Sequence, residues 1–222
     1  MTDTTSLGTI WVVGQRRAPG GNFPPASGAG GGGPGEDGGV HQDEVDPDGG
    51  GPSGPALDPC SSPDTALEWN ADAAAAEALR RMQADANDPL LDGRERGIVI
   101  YLDASTQTVR LGNMAVGPDM GGAVTPDLTG IAGGSIIGFI HSHPGSGPYP
   151  SGPDRTSLFP FFQDTITSGG GNAARFRLYM VGTRADPGGP ARLQIRVYDV
   201  SNLNGDEDNP GPEVNPDGEP CP

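Results

Sequence analysis

The chain has 222 residues, a formal net charge of −16 and no lysine, all thirteen basic residues being arginine. Its 38 glycines and 24 prolines are too many for a wholly folded chain, so one domain of ordinary size with disordered flanks is the expected organisation. Acid is concentrated in those flanks: 18–60 carries seven acidic residues and no basic one, 201–222 carries six and none, and 61–200 sets fifteen acids against eleven arginines. A folded part so poor in basic surface argues against a nucleic-acid partner. No apolar stretch is long enough to span a membrane, and Met1–Pro19 lacks the basic and apolar regions of a signal peptide, which leaves localisation and oligomeric state open.

In chain order, Thr9–Val13 is a short apolar segment expected to be a flexible peptide. The stretch 18–59 has almost no large apolar side chain and cannot offset its chain entropy. Residues 1–61 are therefore expected to be a disordered acidic region, with His41 a solvated histidine inside it. Ser62, Pro63 and Asp64 form a helix start, with a capping serine, proline in the first turn and an acid at the positive end of the dipole. The helix they open places Leu67, Ala71, Ala74, Ala75, Ala78, Leu79, Met82 and Ala86 on an apolar face. Glu68, Asp72, Glu77, Arg81 and Asp85 fall on the opposite, polar face. Asn87, Asp88 and Pro89 end it. Gly97–Leu102 and Thr108–Leu111 predict a hairpin, with Glu95 at its entrance between two arginines. Asn113–Gly134 is Gly/Pro-rich and is expected to face the substrate.

The stretch that organises the rest is Gly138–Leu158, GFIHSHPGSGPYPSGPDRTSL. The apolar, β-branched run Ser135–Ile140 predicts a buried strand, and residues two apart on a strand share a face, so His141 and His143 can reach one ion together. Pro144 stops the pairing, a compact Gly/Pro loop follows, and Asp154 stands where that loop turns into a helix. Two imidazoles and a carboxylate are the ligand set of a catalytic zinc site that leaves its fourth position open for water; a structural site would be closed, commonly by cysteine, and none is near. Beyond it, Thr156–Thr167 predicts a helix with Leu158, Phe161, Phe162 and Ile166 inward and Pro160 in its first turns or bending it. Phe176–Thr183 and Arg192–Val200 predict a second hairpin turned at 186–189. Cys60 and Cys221 flank the domain, either as a disulfide or as two free thiols. The expected fold is α/β or α+β, a mixed central sheet with a helix on either side over residues 62–200, followed by a disordered acidic tail over 201–222.

His141-Ser142-His143-Pro144 followed by Ser151, Gly152, Pro153 and Asp154 resembles the H-x-H-P-x6-S-x-x-D signature of the JAMM (JAB/MPN-type) zinc metalloproteases. Within that family the helix-then-Glu layout and the GFIHSHP string are similar to bacterial versions appended to Rhs-type polymorphic toxin proteins. The resemblance implies a JAB/MPN-like fold and Zn2+ held by His141, His143 and Asp154. It also implies an upstream glutamate as general base, and Glu95 is the one glutamate between the first helix and the histidines. Ser151 would then donate to the developing oxyanion, and Ser142, pointing to the opposite face, is structural. The implied reaction is hydrolysis of a peptide, protein or isopeptide-conjugate substrate. The alternative is a non-catalytic binding or structural module of the same fold at the end of an exported bacterial protein.

Overall fold

The computed structural model describes residues 58–87, 90–118, 122–185, 189–215 and 220–221. Expectations for the N-terminal segment, including His41, and for the turn at 186–188 lie outside them.

Helix α1 spans Pro63–Ala86, opened by the Ser62 hydroxyl, which accepts from Thr65 N–H, and closed by Asn87 in the left-handed region. Then follow β1 (Arg96–Asp103), β2 (Thr108–Val116) and β3 (Ile136–His143). A π-helical turn, Asp154–Leu158, runs into α2 (Phe159–Ser168). The chain ends with β4 (Arg177–Ala185), β5 (Ala191–Tyr198) and the two-residue β6 (Glu213–Val214). Among the described residues the strands form one sheet in the order β2-β1-β3-β4-β5-β6. All neighbours are antiparallel except β3 and β4, which are parallel. A parallel pair needs a crossover, and the loop with α2 supplies it. The expected mixed sheet with a helix on each face is what the chain adopts. No described helix is long and apolar enough to cross a membrane.

Alternation along the strands divides the core in two. On one face Ala71, Ala75, Ala78, Leu79 and Met82 of α1 pack with Ile98, Ile100, Ile140, Tyr179 and Val181. On the other, Phe162 and Ile166 of α2 pack with Val99, Phe139, Leu178 and Met180. Small alanines let α1 lie close to the sheet, while the large side chains beneath it each contribute about 1.5–3 kcal/mol through burial.

Four expectations are corrected. Phe161 does not pack inward: it is exposed, and Phe159 takes the buried place beside Phe162 and Ile166. Asp72 does not face solvent: it is buried under α1, where the Tyr179 hydroxyl donates to its Oδ1 at 2.9 Å. Residues 113–116 extend β2 and are not loop. The segment after 200 is not a free tail over 201–215. Its Asp and Asn side chains cap backbone amides, Ser201 N–H donating to Asp199 Oδ1 and Asp199 N–H to Asn202 Oδ1. Val197 N–H donates to Pro212 O, and Val214 is buried against β5. Cys221 is disulfide-bonded to Cys60, and its N–H donates to Asn70 Oδ1. Polar turn-forming residues that signal disorder when solvated are here pairing with backbone, and the disulfide settles which of the two cysteine alternatives holds. The domain therefore extends past both expected boundaries, to Cys60 and Cys221.

Candidate metal centre and its cavity

The site forms where two strands part. β1 pairs with β3 as far as Gly97 opposite His141, whereas β3 stays paired with β4 for two more residues, to His143 opposite Gly182. At the parting point the Ser142 hydroxyl, fully buried, accepts from Arg96 N–H at 2.9 Å, taking the place of the next backbone partner. This is the structural role expected of Ser142. Arg96 in turn is only 2% exposed. Its guanidinium donates to Asp85, Asp92 and the carbonyls of Leu91 and Arg94, so the start of β1 is fastened to the end of α1.

His141 is buried and His143 nearly so, and both point Nε2 at one spot. The two Nε2 atoms are 3.1 Å apart. His141 Nε2 lies 3.1 Å from Asp154 Oδ1, and His143 Nε2 lies 3.2 Å from Asp154 Oδ2. Stacking on Phe139, with ring centroids 5.5 Å apart, orients the His141 ring. Its Nδ1 is buried without a hydrogen-bond partner, so packing rather than a second hydrogen bond fixes this imidazole. Burial alone would raise the Asp154 carboxyl. Hydrogen bonds from His141 and His143, the charge of His141 and a hydrogen bond from Ser151 outweigh it and hold the group well below the usual carboxylate range.

Asp154 is delivered by a reciprocal cap. Ser151 N–H donates to Asp154 Oδ2 at 2.6 Å, and the Ser151 hydroxyl accepts from Asp154 N–H at 3.3 Å, which is the capping-box arrangement at a helix start. The preceding loop is seated on β4 and β5: Thr183 N–H donates to Ser146 O at 2.7 Å, and the Tyr198 hydroxyl donates to Pro148 O at 2.9 Å.

Glu95 reaches the same place from the residue just before β1. Its Oε2 accepts from Val124 N–H at 3.1 Å, and its carbonyl accepts from Gly117 N–H at 2.7 Å. A cavity of about 280 Å³ is lined by Glu95, His141 and Asp154 together with the loop at 123–126 and the face of the helical segment at 153–161. The structure thus brings together four of the five residues named from sequence, with Ser151 beside Asp154. Sequence reasoning missed Val124, whose amide holds Glu95, and the burial of Arg96. Val124 lies in the Gly/Pro-rich loop expected to face the substrate, while nothing in the sequence around Arg96 signalled its burial.

Three donors on three mutually touching side chains are the one described grouping of His, Cys, Asp and Glu able to hold a metal ion. The fit is good in chemistry and geometry. Two imidazole nitrogens and a carboxylate oxygen lie within 4.8 Å of one another, and such a set of nitrogen and oxygen donors suits a divalent ion such as zinc. Residues 97–183 match the sequence profile of the prokaryotic homologs of the JAB domain. That match includes both histidines, Ser151 and Asp154 and stops two residues short of Glu95. No curated protein matches the chain.

Proposed function

We propose that the chain, whose residues 97–183 match the profile of the prokaryotic homologs of the JAB domain, is a zinc-dependent hydrolase of a peptide or isopeptide bond, with His141, His143 and Asp154 as the metal ligands. A zinc ion bound there supplies Lewis acidity, polarising a carbonyl and lowering the pKa of a bound water towards neutrality. Glu95 takes the proton of the attacking water and returns it to the leaving amine as the C–N bond breaks. Val124 N–H, by holding Oε2, aims the carboxylate into the cavity. The Ser151 hydroxyl accepts from Asp154 N–H, which leaves its proton to donate to the developing oxyanion, a contribution of about 3 kcal/mol for one such donor.

The observation that carries this reading is that Glu95, His141 and Asp154 line one cavity although they come from three separate stretches of the chain. The test is elemental analysis of the full chain beside its His143→Ala variant, followed by a screen of isopeptide and cell-wall peptide substrates with Glu95→Gln as control. We expect about one zinc per chain, lost in His143→Ala, and turnover abolished in Glu95→Gln with the zinc retained. Absence of zinc after reconstitution overturns the reading. Unaltered activity in Glu95→Gln removes Glu95 from the chemistry.

A further inference from the structure

The cavity beside the metal ligands has a mixed lining: Glu95, His141 and Asp154 are its only charged or imidazole side chains, Thr125 and Ser157 add hydroxyls, and its second side, as we call the apolar remainder, includes Val124, Leu158 and Phe161. Resting on the hydrolase reading, we propose that this second side is a subsite for an apolar side chain of the substrate next to the bond that is cut, with Phe161 and Leu158 setting the preference.

Asp154, Leu158 and Phe161 follow one another at intervals of four and three residues along a single helical segment, so they share a face. The π-helical turn at Asp154–Leu158 carries a ligand and one wall of the cavity on one rigid piece. Phe161 is 44% exposed, the one aromatic among the large exposed apolar residues described. It is not loose, because its ring meets the buried Phe162 edge-on with centroids 5.3 Å apart. An aromatic held in water at the mouth of a cavity is an apolar surface waiting to be covered.

Volume and charge narrow the occupant. A cavity of about 150 Å³ accepts a benzene ring, so 280 Å³ has room for one aromatic or branched aliphatic side chain with the adjoining amide. An acidic side chain would be desolvated there without a partner and would face the carboxylates of Glu95 and Asp154. A basic one would pair with those same carboxylates and draw Glu95 away from the water. A leucine or phenylalanine side chain meets neither obstacle and covers Phe161.

Hydroxamates test this by binding alone. The zinc-loaded full chain is titrated calorimetrically with acetohydroxamate and with the hydroxamates of N-acetylated leucine, phenylalanine, aspartate and arginine. Burial of one such side chain predicts leucine and phenylalanine compounds binding about ten- to a hundredfold tighter than acetohydroxamate, and the aspartate and arginine compounds no tighter than it. Phe161→Ala and Leu158→Ala should each erase most of that gain while leaving zinc content and acetohydroxamate affinity unchanged, and Phe161→Leu should restore it. Equal affinities across the series, or a preference that survives Phe161→Ala, overturn the subsite. Failure of acetohydroxamate to bind the zinc-loaded chain overturns the metal-centred reading beneath it.

Discussion

Ser151 and Asp154 cap each other, and that mutual contact is what carries the Asp154 carboxylate from a helix start to the two histidines. The backbone amide of Ser151 holds Asp154 Oδ2, while the serine hydroxyl takes the amide of Asp154. The spacing S-x-x-D therefore has a purpose apart from any role of Ser151 in the chemistry. Ser151→Ala should cost about 1 kcal/mol of stability through the lost cap and weaken metal binding as Asp154 loses its anchor. Ser151→Thr should preserve both. Thermal melts with and without zinc, read beside a chelator competition, check this. If Ser151→Ala binds zinc as tightly as the parent chain, the cap does not position the ligand.

Gly182 is where the loop between His143 and Asp154 rests. A Cβ there would run into the backbone of Gly147 and Pro148. Beside it, Ser146 and Pro148 are held by Thr183 N–H and the Tyr198 hydroxyl. Gly182→Ala must push the loop away from β4, and overpacking of this kind costs about 1–3 kcal/mol. Because Gly182 is paired with His143, the displacement should fall on the metal site, giving a loss of zinc affinity larger than the loss of stability alone accounts for. A variant that is destabilised but binds zinc normally would show that the loop moves without disturbing its ends.

The elements that carry the site were legible because their signals are local. A buried run ending in H-x-H, a proline stop and a capped helix start each speak through a few neighbouring residues, and the alternation of β4 and β5 did the same. What stayed hidden depends on distant partners. Arg94-Glu95-Arg96 has the composition of a solvated cluster, yet Arg96 is buried because Asp85, Asp92 and two carbonyls surround its guanidinium. Asp72 lies on the polar side of a helical wheel and is buried because Tyr179, 107 positions away, donates to it. The segment past Ser201 has the composition of a tail, and is held by β5 and by the bond between Cys221 and Cys60. Val124 acts through its backbone amide, which no side-chain pattern can announce.

The disulfide ties the start of the domain to its last described residue across a sequence separation of 161. Constraint of so long a loop in the unfolded chain stabilises by about 2–5 kcal/mol. The same C-terminal segment reaches the metal-site helix, Arg155 donating to Gly205 O at 3.0 Å. Reduction, or Cys221→Ser, should lower the melting temperature markedly and by the same amount in either case, with no further effect of reductant on the variant. Free thiols titrated in the native oxidised protein would contradict the pairing.

Acid should act on the metal-free fold through Asp154. Although burial opposes its ionisation, hydrogen bonds from His141 and His143 dominate, and the folded carboxyl lies below its unfolded value. A depressed folded pKa contributes stability that is fully present above the unfolded value of about 3.9 and is lost as pH falls below it. Asp154→Asn removes that contribution, so its metal-free stability should fall less steeply than the parent's as pH drops from about 5 to 3. Urea midpoints measured in the presence of a chelator across that range decide the matter: parallel curves for the two proteins would mean that Asp154 is not preferentially ionised in the folded chain.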